Sequence, residues 1–154
     1  MARLDAGAAL AMNGVPATYL VALAGQIASL SAFLGGFSAT YLATLLSIGG
    51  RGRAAGAAIA FAVLASVAFI VSTVGATTVM TGLHPDAPAS LRATVPTGLA
   101  RLLMSLGFIL GLYAALTSLA VSGWARSRRT GIVTTSIAGI GALLVTLLMV
   151  GVTA

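Results

Sequence analysis

Residues 24–47, AGQIASLSAFLGGFSATYLATLLS, separate small residues from bulky ones when they are placed on a helix. The small residues share one face: Ala24, Ala28, Ser31, Ala32, Gly35, Gly36, Ala39, Ala43 and Ser47. The bulky residues share the opposite face: Ile27, Leu30, Phe33, Leu34, Phe37, Tyr41 and Leu45. A soluble amphipathic helix separates apolar from polar residues, whereas a small face lets transmembrane helices pack closely and a bulky face suits acyl chains. The stretch therefore predicts a membrane-spanning helix that packs against a neighbouring backbone.

The composition extends this prediction to the whole chain. Of its 154 residues, 59% are hydrophobic and 6% are charged, whereas a soluble domain carries about 25% charged residues. So little charge cannot cover a globule of this size in water. The length allows about four spans of about 20–25 residues. We therefore expect an all-α, polytopic integral membrane four-helix bundle, built as two antiparallel hairpins.

Glycine, proline and charge mark the segment boundaries. A glycine- and arginine-rich turn interrupts the apolar sequence at 49–53, and a proline-containing loop interrupts it at 81–98. Residues 1–16 are predicted to form a short N-terminal lead at the membrane interface, and residues 17–154 a single transmembrane domain. The predicted spans lie near residues 17–48, 54–80, 98–124 and 131–152.

Arginine supplies all the basic residues, and its distribution predicts the orientation. Five arginines lie in the two turns that close the hairpins, while three arginines and both acids lie on the other side. The positive-inside rule then places the basic turns in the cytoplasm and both termini outside. We expect a multi-pass protein, of the bacterial inner membrane, whose lipid headgroup anchors are Arg51, Arg53, Trp124, Arg126, Arg128 and Arg129.

The net charge of +6 is also typical of nucleic-acid-binding proteins. The arginines, however, lie in short clusters beside apolar segments, which is the distribution of juxtamembrane anchors. The lipid bilayer is therefore the expected partner, and no nucleic-acid partner is expected.

The chain offers few residues for catalysis or metal binding. It has no cysteine, one histidine (His84) and two acids (Asp5 and Asp86). Metal sites use three or four ligands at defined spacing, and His84 with Asp86 falls in the loop outside the spans. No ionisable residue lies at the centre of a span, which argues against a proton-coupled carrier built on a buried carboxylate. We expect no enzyme, metal or cofactor.

Small residues at helical spacing are the strongest functional pattern. The predicted helix-packing residues are Ala28, Ala32, Gly35, Gly36 and Ala39 in the first span, and Gly107, Gly111 and Ala115 in the third. Such faces bring backbones together in membranes. They predict a non-catalytic scaffold or accessory subunit that packs against copies of itself, as a homo-oligomer, or against a larger membrane-protein partner.

A second hypothesis rests on polar groups inside the spans. Gln26, Thr73, Thr77 and Tyr113 form a candidate polar seam, which would line the pathway of a small channel or facilitator. The alternative is that the same groups form hydrogen bonds between or within helices, because Ser and Thr bond readily to carbonyls of their own helix. We favour the second interpretation of these groups, and with it the scaffold.

Overall fold

Four long helices make up the computed structural model, which describes residues 16–49, 52–84, 86–88, 90 and 94–153. They are α1 (Ala17–Ile48), α2 (Arg53–Leu83), α3 (Thr97–Ser122) and α4 (Arg128–Thr153), with a short 3-10 helix at Gly123–Ala125. Each of the four is long and apolar enough to cross a membrane. The predicted all-α membrane fold is confirmed. Of the predicted lead at 1–16, all but Pro16 lies outside the described residues.

Local chemistry explains where the helices begin and end. Helix α1 ends at Gly49, whose φ of 64° is left-handed and whose N–H donates to the carbonyl of Leu46; Gly52 also has a positive φ, of 114°. Only glycine adopts such angles without strain. Helix α4 begins at Arg128 rather than near residue 131, because the Ser127 hydroxyl accepts the N–H of Thr130 at 3.1 Å and caps the first turn.

The helices pack mainly in chain order, with α2 against both α1 and α3, and α4 against α3. Contacts near one end join Ala24 of α1, Val79 of α2 and Ala100 of α3 in one cluster. The beginnings of α1 and α3 thus meet the end of α2, so neighbouring helices are antiparallel. This arrangement agrees with the predicted pair of antiparallel hairpins.

Helix α2 is the centre of the bundle, since it packs against both α1 and α3. In its most apolar segment 33% of the residues are buried, compared with 11% in α1 and 6% in α4. Eight of its eleven buried residues recur in alternating steps of three and four: Ala55, Ala58, Ala62, Ala65, Phe69, Ser72, Ala76 and Val79. Helix α3 follows the same rule with Ala100, Met104, Gly107, Gly111, Ala114 and Ser118. A mean step of about 3.5 residues is the seam of left-handed helix packing.

Candidate functional site

The interface between α2 and α3 brings two backbones into contact at two glycines. A Cβ atom at Gly107 would lie 2.8 Å from the carbonyl oxygen of Ala68, and one at Gly75 would lie 2.9 Å from that of Ala100. Neither carbonyl can rotate away, because each is part of a helix. Gly107 was among the predicted packing residues, whereas Gly75 was not.

Phe69 of α2 is held between glycines of its two neighbours. Its side chain is fully buried. A Cβ at Gly35 of α1 would lie 3.2 Å from the Phe69 Cβ, and one at Gly111 of α3 would lie 2.9 Å from its ring. Phe108 meets the ring edge to face, with centroids 6.3 Å apart. One large side chain therefore fills the space that two glycines leave, and it joins three helices.

The small face of α1 is divided between a packed edge and an open one. The residues buried in α1 are Ala24, Ser31 and Ser38, each seven positions after the last. Ala28 and Gly35 are half-buried beside them, while Ala32, Gly36 and Ala39 are exposed. The packed edge lies between the small and bulky faces, because Ile27 and Leu34 also pack against α2 clusters. In α3, Ala115 is half-buried and packs against the cluster around Phe69.

The exposed small residues line an open groove between α1 and α2, near the middle of both helices. Its volume is about 360 Å³. It is lined by Ser31, Ala32, Gly35, Gly36 and Ala39 of α1, and by Ser66, Ile70, Thr73 and Val74 of α2. A Cβ at Gly36 would have no heavy atom within 4 Å. The α1 wall of this groove, which we call the mid-span groove, is therefore almost bare backbone.

A chain of buried hydroxyls crosses the three central helices. The Ser31 hydroxyl of α1 donates to Ser72 Oγ at 3.0 Å, and the Ser72 hydroxyl of α2 donates to the Met104 carbonyl of α3 at 2.9 Å. The Ser118 hydroxyl of α3 donates to the Ala58 carbonyl at 2.7 Å. These serines were not predicted as a group from the sequence. The sequence feature that could have identified them is that Ser72 and Ser118 occupy positions in the 3.5-residue repeats of α2 and α3.

The four residues of the candidate polar seam belong to three different helices. Gln26 is exposed on α1. Thr73 and Thr77 donate to carbonyls of their own helix, Phe69 and Val74, each at 2.9 Å. Tyr113 of α3 shares a hydrogen bond of 2.5 Å with Thr146 of α4. Three of the four groups, Thr73, Thr77 and Tyr113, thus take part in local or interhelical hydrogen bonds.

Hydrogen bonds join α4 to the end of α3 and its turn. The Trp124 indole N–H donates to Thr135 Oγ1 at 2.9 Å, and the Thr134 hydroxyl donates to the Ala120 carbonyl at 3.0 Å. The Trp124 ring lies against Gly131, where a Cβ would have no room. These contacts place the beginning of α4 against the end of α3.

The predicted headgroup anchors gather at one end of the bundle. Arg53, Arg126, Arg128 and Arg129 are exposed there, and Trp124 is 45% exposed. Arg51 lies outside the described residues. At the opposite end, His84 Nδ1 and Asp86 Oδ2 are 3.9 Å apart and both side chains are largely exposed. Within the described part of the chain, His, Asp and Glu side chains form no group of three that could hold a metal ion.

Comparison with known proteins gives no further assignment: no protein family, curated protein or solved structure matches this chain.

Proposed function

We propose that this small integral membrane protein is a non-catalytic scaffold or accessory subunit, which binds a transmembrane helix of another subunit in its mid-span groove. The observation that carries the proposal is the exposed row of Ala32, Gly36 and Ala39 beside the groove. In a bilayer, helices associate through van der Waals contact between closely approaching backbones, and small residues make that approach possible. The groove offers such a surface at mid-membrane, where lipid chains are its only alternative occupant.

The small-channel hypothesis has less support. A permeation pathway needs polar contacts across the membrane centre. The mid-span hydroxyls of Ser31 and Ser72 are instead used in hydrogen bonds between helices. Ser118, near the basic end, bonds to α2, and Tyr113 bonds to α4. Such bonds stabilise packing by about 0.6 kcal/mol each on average. They fit a structural role for these polar groups.

Gly36→Leu tests the proposed groove. A Cβ at this position would meet no heavy atom within 4 Å, so we expect the chain's own melting temperature to change little. The side chain would fill the groove, and we expect loss of most of the assembly in mild detergent or nanodiscs. Measuring mass by light scattering, and identifying co-purifying subunits, distinguishes a homo-oligomer from a complex with another protein.

Gly139→Leu is the matched control, because Gly139 of α4 is exposed and its Cβ would also meet no atom within 4 Å. It should leave the assembly intact. A wild-type chain that stays monomeric and alone, or equal losses from the two substitutions, would contradict the proposed contact.

We also propose that the two basic turns face the cytoplasm and both termini lie outside, since five arginines lie in these turns. The chain has no cysteine, so a single introduced thiol reports its own side of the membrane. With a membrane-impermeant maleimide on intact cells, Ala87→Cys should react and Ser127→Cys should react only after permeabilisation. Reaction of Ser127→Cys in intact cells would reverse the assignment.

A further inference from the structure

An apolar cleft opens at the basic end of the bundle, separate from the mid-span groove. Its volume is about 310 Å³, and it is formed by the end of α1, the beginning of α2 and the end of α3 with its turn. Tyr41, Ile48, Ala55, Ile59, Ser122 and Arg126 are among its lining residues. Because Thr44 and Ile48 are exposed, the cleft opens sideways toward lipid as well as toward the membrane surface.

The cleft combines an unpaired phenol with its apolar walls. Among the described residues, the buried hydroxyl of Tyr41 has no hydrogen-bond partner. A phenol hydroxyl buried in apolar surroundings normally finds a partner, because an unpaired polar group is costly there. Tyr41 lies seven residues before Ile48, which places it about 10 Å of helix below the basic turn. The missing acceptor is therefore expected within the membrane, below the headgroup level.

The mouth of the cleft is positively charged. Arg126 lines it, and Arg53, Arg128 and Arg129 belong to the same end of the bundle. Of the chain's two acids, Asp86 lies beyond the opposite end of α2 and Asp5 lies outside the described residues. A cleft with a cation at its mouth, apolar walls and a hydrogen-bond donor at depth matches an anionic amphiphile.

We propose that the cleft binds one anionic phospholipid. The phosphate pairs with the guanidinium of Arg126, an ester carbonyl of the glycerol backbone accepts the Tyr41 hydroxyl, and the acyl chains leave past Thr44 and Ile48 into the bilayer. The volume suits the ester-linked part of a single lipid rather than the whole molecule. This site does not depend on the scaffold function, because none of its residues lines the mid-span groove.

Native mass spectrometry of the full-length chain in detergent tests the site. The probes are phosphatidylglycerol, phosphatidylcholine with the same acyl chains, and inorganic phosphate. We expect one phosphatidylglycerol per chain, bound at least about tenfold more tightly than phosphatidylcholine. Both lipids have a phosphate, but the choline cation of phosphatidylcholine neutralises its headgroup and is repelled by Arg126. Arg126→Gln should remove this preference. Tyr41→Phe should weaken the binding of both lipids about threefold, because both have ester carbonyls that can accept the Tyr41 hydroxyl.

Three further variants distinguish lipid binding in the cleft from attraction to general surface charge and from binding of a free anion. Arg128→Gln makes the same charge change outside the cleft lining, and Tyr19→Phe makes the same phenol change at the other end of α1; both should leave lipid binding unchanged. Thr44→Phe places a large side chain at an exposed position in the cleft lining and should block the binding of both lipids.

Three results would overturn the proposal. The first is equal affinity for the two lipids, and the second is an Arg128→Gln effect as large as that of Arg126→Gln. The third is phosphate binding as tight as phosphatidylglycerol binding and insensitive to Thr44→Phe, which would indicate a free-anion site.

Discussion

The Gly107→Ala substitution is expected to lower the free energy of unfolding by about 2 kcal/mol, although it adds a single methyl group. The new Cβ would lie 2.8 Å from the Ala68 carbonyl oxygen and 3.0 Å from the Ser72 backbone nitrogen. Relief requires α2 and α3 to separate, which lengthens the Ser72 bond to Met104 and loosens the central interface. Reversible unfolding in mixed detergent micelles measures the loss.

Gly139→Ala makes the same chemical change where a Cβ would meet no atom within 4 Å. There the substitution removes only the conformational cost of a glycine within a helix, about 1 kcal/mol. We therefore expect Gly139→Ala to be neutral or stabilising. Effects of the same sign and size at both positions would show that Gly107 does not act through backbone contact.

The Phe69→Ala substitution is expected to have the largest effect of any single truncation, about 3 kcal/mol. Alanine keeps the Cβ that faces Gly35 but empties the ring space beside Gly111 and Phe108. In a bilayer the loss is one of packing contact rather than of burial from water. The same unfolding measurement applies. Phe33→Ala is the matched control, because Phe33 is 72% exposed toward lipid and its loss should cost little.

A double substitution tests the proposed fit between the ring and its glycines. Gly111→Ala alone should destabilise, because its Cβ would lie 2.9 Å from the Phe69 ring. In the Phe69→Ala background the same methyl group should be tolerated, or should partly fill the cavity. Independent, additive losses would mean that the two positions are not coupled.

Hydropathy and small-residue spacing were sufficient to predict the spans, since lipid solvation requires long apolar helices. They also selected Gly107 and Gly111, whose spacing of four places them on one face. The sequence did not predict which small residues would pack. Ala32 and Gly36 are of the same residue types as Ala28 and Gly35 and lie on the same predicted face, yet they are exposed. The reason is that α2 lies against the edge of α1 that includes Ser31 and Leu34.

The central role of α2 had a signal that amphipathicity does not detect. Most of the residues that alternate by three and four from Ala55 to Val79 are small. Alanine also occurs outside this repeat, at Ala54, Ala57 and Ala60, so a comparison of small and bulky sides shows little contrast. The cleft at the basic end had no such signal. Tyr41, Ala55 and Arg126 come from three distant parts of the sequence, and only the packing of the helices brings them together.

The seam of α2 has an energetic consequence that follows from its alanines. Ordering a buried leucine or isoleucine costs about 0.5–1 kcal/mol of side-chain conformational entropy, whereas alanine has no side-chain rotamers to lose. Five of the eight residues in the α2 repeat are alanine: Ala55, Ala58, Ala62, Ala65 and Ala76. Lipid chains are as apolar as the helices, so moving a side chain from lipid into the helix interface provides little free energy to offset a loss of side-chain entropy. An interface with few rotamers to freeze thus allows modest dispersion forces and a few hydrogen bonds to hold these helices together.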